Sequence, residues 1–246
     1  MTLSFSSLGN LGRLGNQMFQ YAALRGIAAH HQVTYSLPDE TSLHKCFKIP
    51  SASKEVRNPQ IVENTYEFDE NIFSCSEGDL YGFFQTEKYF SHIENDIRQD
   101  FTFHDIIYNT CYHYRKHILP KEVVALHIRR GDYLTDPNFA LLDTCYYKKA
   151  VEYFPEIEVM IFSDDINWCR ENFTSSRFKF SLSNNPFIDL CLMSLCDYHI
   201  ISNSSFSWWG SWLAKSKKTI APRIWFAGEF SSWNTKDLYR KDWEII

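Results

Sequence analysis

The chain predicts an α/β fold made of two Rossmann-like halves facing across a cleft. Short apolar runs of strand length alternate with stretches of helical spacing, the signature of helices packed on a mostly parallel sheet. The gaps between those runs, roughly 20 to 40 residues, suit right-handed βαβ crossovers. A proline-containing break at Ile118-Leu-Pro-Lys121 precedes the strongest run, so the expected seam divides residues 1–120 from 121–246.

Taken in order, Gly12–His30 reads as a glycine loop opening a helix with Leu14, Met18, Tyr21, Ala22 and Ile27 on one side. A strand is expected at Val33–Leu37 and another at Leu80–Phe84, with the polar stretch Ser51–Glu77 between them as loop. Tyr89, Phe90, Ile93 and Ile97 have helical spacing and predict a helix over Glu87–Phe101. In the second half, strands are expected at Val123–Ile128, Glu158–Phe162, His199–Ser202 and Thr219–Ala221. Helices fill the gaps at Thr144–Phe154, Ile166–Phe173, Pro186–Cys196 and Phe206–Lys215.

Composition removes several function classes. The 246 residues carry 25 Lys+Arg against 30 Asp+Glu, a formal charge of −5, which argues against a partner held through a phosphate backbone such as nucleic acid. At 44% hydrophobic and 17% aromatic, the chain has enough apolar side chains for packed cores. No transmembrane run and no secretion signal is legible, so a cytoplasmic protein, peripheral to a membrane at most, is expected. The seven cysteines are scattered without a C-x-x-C pair, which fits reduced thiols and speaks against zinc. H-E-x-x-H and G-x-S-x-G are both absent, leaving metalloprotease and serine-hydrolase chemistry without support.

Four stretches carry candidate chemistry. His127-Ile-Arg-Arg-Gly-Asp-Tyr133 follows a buried strand, where open α/β sheets bind ligands, and places Arg129 and Arg130 to grip an anion with two-pronged hydrogen bonds. A carboxylate pairing for one arginine, with Gly131-Asp132 as a simple turn, is the competing reading. Gly12-Arg-Leu-Gly-Asn-Gln17 opens a helix whose backbone N–H groups suit an anion, and the amides of Asn16 and Gln17 suit a sugar or phosphate; Asn16 as a helix cap competes. Ser202-Asn-Ser-Ser-Phe206 offers hydroxyls and N–H groups at a strand-to-helix turn, while Trp208, Trp209 and Trp212 read as core anchors. Phe162-Ser-Asp-Asp165 ends another strand, and Asp164 and Asp165 suit a divalent metal, a ribose or a purine edge, with a helix cap competing at Asp165.

Together, G-R-L-G-N-Q-M-F-Q-Y-A, F-Q-T-E-K-Y-F (Phe84–Phe90), H-I-R-R-G-D-Y, F-S-D-D and S-N-S-S-F-S-W-W-G-S-W-L resemble, in the same order, the galactoside α-1,2-fucosyltransferases of glycosyltransferase family 11. The resemblance runs from Gly12 to the Asp237-Leu-Tyr stretch and Trp243. It implies a GT-B fold and an inverting, metal-independent transfer of L-fucose from GDP-β-L-fucose, a substrate rather than a cofactor, to the 2-hydroxyl of a galactose-terminated glycan. The C-terminal half would hold the donor and the N-terminal half most of the acceptor. A more distant similarity to protein O-fucosyltransferases implies catalytic roles for Asn16 and Arg129 and GDP contacts at Ser204, Ser205 and Phe206.

On this basis, Arg129 and Asn16 are expected in catalysis, with Asp132 a candidate base. His127, Arg130, Gly15, Asp164, Asp165, Asn203, Ser204, Ser205 and Phe206 are expected on the donor, and Gln17 and Tyr133 on the acceptor. The compact stretch between Leu37 and Leu80 and the lack of a preceding membrane anchor depart from the larger family and point to a bacterial or viral type. Two alternatives stand beside this reading: a glycosyltransferase for another nucleotide sugar such as GDP-mannose, and a non-catalytic carbohydrate-binding protein.

Overall fold

The computed structural model describes residues 1–246 and divides into two compact units: Met1–His104 with Trp233–Arg240, and Asp105–Ser232 with Lys241–Ile246. In chain order the first unit contains β1 (Thr2–Ser4), α1 (Leu14–His31), β2 (Thr34–Ser36), α2 (Ser42–Cys46), β3 (Gln60–Val62), β4 (Gly78–Tyr81) and α3 (Glu94–Asp100). Its four strands are all parallel in the order β2-β1-β4-β3, so the direction of winding reverses between β1 and β4.

Helix α1 is the core of this unit. One apolar side is expected from its spacing, yet Met18, Phe19, Tyr21, Ala22, Ala23, Leu24 and Ile27 are all fully buried around its circumference. The close approach is enforced at Gly26, where a Cβ would lie 2.0 Å from the Tyr89 carbonyl oxygen. The expected helix over Glu87–Phe101 is instead two 3₁₀ turns, Glu87–Tyr89 and Ser91–Ile93, followed by α3. Tyr89, Phe90 and Ile97 are buried as their spacing requires, but Phe90 departs from helical backbone (φ −136°, ψ 1°) and divides the segment. The stretch read as loop, Ser51–Glu77, contains β3 and a 3₁₀ turn at Glu70–Ser74. The strand expected at Leu80–Phe84 ends at Tyr81, because Gly82 and Phe84 both take positive φ and turn the chain away.

The second unit contains α4 (Asp105–His117), β5 (Val123–Ile128), α5 (Thr144–Val151), β6 (Glu158–Ser163), α6 (Ile166–Asn172), β7 (Phe178–Phe180), α7 (Pro186–Ser194), β8 (Tyr198–Ile200), α8 (Ser205–Ala214), β9 (Lys218–Ala221) and β10 (Glu244–Ile245). Its six strands are parallel in the order β10-β9-β8-β5-β6-β7. The central β5 is buried along its whole length, which explains its unbroken apolar run. Trp208, Trp209 and Trp212 are buried with edge-to-face contacts 4.9 and 5.0 Å apart, the core role expected of them. All seven cysteines are free thiols, five of them buried. No helix is long and apolar enough to cross a membrane.

The boundary lies earlier than the seam expected at Ile118–Lys121, because α4 packs on α7 within the second unit. Arg115 on α4 fixes it there. Its guanidinium donates to the Leu195 carbonyl (2.9 Å), to the Pro120 and Lys121 carbonyls, and to the Asp197 carboxylate (2.9 Å). Arg115→Ala should therefore destabilise the protein by about 2 kcal/mol, the scale of losing charge-assisted bonds to partly buried acceptors. Arg115→Lys should recover less than half, since a point charge cannot serve three carbonyls and a carboxylate at once. Denaturant unfolding of the two variants measures both effects.

Candidate active site

In the second unit, three loops leave the sheet at the carboxyl ends of adjacent strands. Ile128 of β5 pairs with Ser163 of β6, so Arg129-Arg130 emerge level with Asp164-Asp165. On the other flank, β8 leads into Ser202–Ser204 and then α8. The winding reverses between β5 and β8, the position at which open α/β sheets bind ligands.

The two arginines are held by carboxylates. Arg129 meets Asp164 Oδ2 through Nη1 (2.7 Å) and Asp132 Oδ1 through Nη2 (2.6 Å), with its face 5.5 Å from the Tyr133 ring. Arg130 stacks over Trp168 (4.0 Å), reaches Asp165 Oδ2 through Nε (3.1 Å) and donates its backbone N–H to Asp164 Oδ1 (2.9 Å). Asp165 also caps α6 by accepting from the Trp168 N–H (3.2 Å). Gly131 is required for this packing, since a Cβ there would lie 2.5 Å from Asp164 Oδ2. Asp164 and Asp165 thus orient arginines, and the cap that competed as a reading of Asp165 is present as well. Two guanidinium charges meet three carboxylates, of which Asp132 is the most exposed at 45%.

Behind the arginines lies a buried polar layer. His127 Nδ1 bonds Ser202 Oγ (2.8 Å), and burial, reinforced by the charge of Arg129, lowers the imidazole to about 3, so it is neutral at physiological pH. The ring of Phe206 is 5.5 Å from it. Asn203 is 1% exposed and donates both side-chain N–H bonds to the carbonyls of Ala140 and Trp225, which makes it a clamp between loops rather than a surface contact. Tyr133 stacks on Phe139 (4.6 Å, 12°) and donates to the Asn203 carbonyl (2.9 Å). Ser204 caps α8 through the Phe206 N–H, and Ser205 is the first residue of that helix, so the positive end of its dipole opens at the strand ends. Beside Asp164 and Asp165 a hollow of about 320 Å³ continues along Ile166, Asn167, Arg170 and Leu182.

The first unit repeats the arrangement at its own reversal point. The loop after β1 leads to α1, and Gly12 takes φ +86° with Asn16 so close that a Cβ at Gly12 would lie 2.4 Å from Asn16 Nδ2. Gly15 is buried in the first turn of α1. The helix cap position belongs to Arg13, so Asn16 lies inside the helix; its Oδ1 accepts from Gln85 Nε2 (2.9 Å). Gln17 is 3% exposed and its amide points back to the Gly12 carbonyl, so it shapes the loop. Gln20, fully buried, ties the loops after β1 and β4 by donating to the carbonyls of Leu11 (2.9 Å) and Gly82 (3.0 Å). Glu63 accepts the backbone N–H groups of Phe83 (2.7 Å) and Phe84 (3.0 Å), holding Phe84 at φ +53°.

A family model described as glycosyl transferase family 11 matches residues 7–246. The chain belongs to that family. Among its relatives, the O-antigen biosynthesis glycosyltransferase WbnK of Escherichia coli is 33% identical over 65% of the chain and 59% of its own length. The alpha-1,2-colitosyltransferase of Escherichia coli is 32% identical over 89% of the chain and 91% of its own length. The galactoside alpha-(1,2)-fucosyltransferase 1 of Rattus norvegicus is 28% identical over 82% of the chain and 62% of its own length. The chain therefore spans about three fifths of two of these relatives and nearly all of the third. The fucosyltransferase NodZ from Bradyrhizobium matches in structure with a TM-score of 0.59, covering 93% of this chain and 96% of NodZ, at 12% identity, which is a likeness of fold. The fold is α/β and GT-B-like.

Within this family 11 chain, Arg129, Arg130, Asp132, Asp164, Asp165, His127, Ser204 and Phe206 cluster at the strand ends of the second unit, as their motifs predict. Gln20, Glu63 and Gln85 are missed by sequence reading. Gln85 stands inside the F-Q-T-E-K-Y-F motif, but only the fold brings it to Asn16. Burial raises Glu63 to about 7, against the opposing effect of the Phe84 and Phe83 N–H bonds. A carboxyl whose folded value is raised favours the native state most below its unfolded value, and that contribution is lost as pH rises through about 7. Glu63→Gln should flatten the fall in melting temperature between pH 5 and about pH 8; an unchanged profile would show that other groups govern it.

Proposed function

We propose that this chain transfers L-fucose from GDP-β-L-fucose to the 2-hydroxyl of a terminal galactose, inverting the anomeric centre. The observation that carries the reading is Arg129, whose guanidinium is oriented at a strand-end reversal point beside Arg130 and the N-terminus of α8. That set of donors suits a diphosphate. The α-1,2 linkage is common to the names of the colitosyl and the galactoside fucosyl relatives, which supports the same linkage here. A solved fold neighbour is described as an α-1,6-fucosyltransferase soaked with GDP-fucose, which supports the donor.

In this reading the acceptor oxygen attacks the fucosyl anomeric carbon as the bond to the β-phosphate oxygen breaks. The electron pair leaves with GDP, and the acceptor proton passes to a base not yet assigned. Negative charge grows on the diphosphate as the sugar becomes oxocarbenium-like, so fixed donors act most strongly in the transition state. Arg129 supplies such a donor, and neutral His127 braces the strand end without competing charge. Asp132 already engages Arg129 and is the most exposed of the three carboxylates, so it yields Nη2 to the arriving phosphate. Asp164 and Asp165 serve the arginines, and the diphosphate is neutralised without a resident metal. The resemblance to protein O-fucosyltransferases supports a catalytic role for the Asn16 amide, whose Oδ1 accepts from Gln85 Nε2.

A panel of GDP-fucose, GDP-colitose, GDP-mannose and UDP-galactose, with galactose-terminated acceptors and linkage analysis, tests this. GDP-fucose should give an α-1,2 product with or without EDTA. Equal turnover of UDP-galactose, or activity that requires Mn²⁺, would overturn the reading. Preference for GDP-colitose would select the second reading favoured by the colitosyltransferase match over 91% of that relative.

Arg129→Ala should lower kcat by roughly 10²-fold, comparable to losing one preorganised donor, and Arg129→Lys should restore only part of it. Asp132→Asn separates a base from a brace. As a brace that competes with phosphate, its loss should lower donor KM and leave kcat within several-fold of wild type, as steady-state kinetics would show; a collapse of kcat would make Asp132 the base.

A further inference from the structure

The hydrogen bond that Asn16 accepts belongs to a longer chain of polar groups within the first unit. Tyr66 donates its hydroxyl to Gln85 Oε1, and Gln85 Nε2 donates to Asn16 Oδ1 (2.9 Å). Gln85 is 9% exposed, so bulk water offers its amide little alternative. The Tyr66 ring stacks on Trp233 (5.4 Å, 23°), at the start of the Trp233–Arg240 segment that returns to the first unit. Three ion pairs seat that segment: Lys88 with Asp237, Arg240 with Glu87, and Lys236 with Glu67. From the other side, Gln85 follows the turn that Glu63 holds with Phe84 at φ +53°.

We infer that Tyr66 and Gln85 are positioning residues that set the sense of the Asn16 amide. The inference rests on the proposed reading of Asn16 and deepens it. A primary amide can present either its oxygen or its N–H groups to a neighbour, and the neighbour decides which. Here the Tyr66 hydroxyl donates to the oxygen of Gln85, which leaves the Gln85 N–H groups facing Asn16. Asn16 must then turn its oxygen toward Gln85 and its Nδ2 donors the other way, against Gly12. A polarised chain of this kind also makes its terminal N–H a better donor than an isolated amide. The position needs an acceptor toward Tyr66 and a donor toward Asn16, which the uncharged Gln85 amide supplies and an ionised carboxylate there, an acceptor only, would not.

Kinetics of Asn16→Ala, Tyr66→Phe, Gln85→Glu and the double variant Asn16→Ala/Gln85→Glu test the relay, with melting temperature as a check on folding. Tyr66→Phe keeps the stack on Trp233 and should lower kcat about 3- to 10-fold, the range of one lost hydrogen bond, with donor KM and melting temperature near wild type. In Gln85→Glu the ionised carboxylate accepts from both neighbours, so the Asn16 amide reverses; kcat should fall at least tenfold at pH 8 and recover as pH drops and the new carboxyl regains a proton to donate. A merely structural Gln85 would give a loss without that acid recovery. Because the effect passes through Asn16, the double variant should be no slower than Asn16→Ala alone. If Asn16→Ala itself keeps full turnover, the reading of Asn16 fails. If Asn16→Ala is slow while Tyr66→Phe and Gln85→Glu match wild type, or if the double variant shows additive losses, the relay alone is overturned.

Discussion

The register between β5 and β6 is the constraint on which the arginine cluster depends. Because Ile128 lies opposite Ser163, two residues of each following loop leave the sheet together, and two arginines meet two aspartates at that edge. Side chains alternate between faces along a strand, so a slip of one residue would exchange the sets packed on the sheet's two faces and separate Arg129 from Asp164. The apolar runs of both strands hold the register, since Val124, Leu126, Ile128, Val159 and Ile161 belong to one core cluster. Core packing therefore sets the geometry of a polar site several residues away, with no flexible loop asked to find it.

Both units use the same device with different chemistry. In each parallel sheet the winding reverses beside the first strand, and the loops that diverge there leave room for a ligand. In the second unit the diverging loops bring cationic groups and a helix N-terminus. In the first they bring amides: Gln20 ties two carbonyls, Gln85 bonds Asn16, and Gln17 bonds the Gly12 carbonyl. Amides hold direction without adding charge, which suits neutral hydrogen-bonding partners, whereas guanidinium groups suit anions.

Legibility in the sequence followed the physical origin of each element. β5 and β6 are long enough, and buried enough, for their apolar runs to be unmistakable. β1 has three residues, two of them Thr and Ser, and is a strand only because β2 and β4 flank it. α4 is rich in Tyr and His and takes its place through bonds of Arg115 that include the Leu195 carbonyl, 80 residues away in sequence, which no local pattern shows. The same division runs through the site. Arg129, Asp164 and Ser204 are local motifs at strand ends, and reading them required only the rule about ligand position. The competing cap reading of Asn16 is excluded by the backbone, which puts the cap at Arg13, and the partnership with Gln85 spans 69 residues of chain.

Preorganisation has a cost that the second unit meets with hydrogen bonds instead of apolar packing. His127, Ser202, Asn203, Ser207, Ser211 and Thr219 are all buried polar residues, each a liability if left unpaired. His127 bonds Ser202, Ser211 bonds Thr219, and the Asn203 amide spans two carbonyls, so the layer under the arginines is stitched across β5, β8 and β9. An apolar layer of equal volume would be no less stable, but it would have no directional bonds to fix the loops it supports. His127 shows the trade most clearly. Burial keeps it neutral, at the loss of an ionisable group next to Arg129, and that neutrality leaves the whole positive charge at the strand end to the two guanidinium groups that carboxylates already aim.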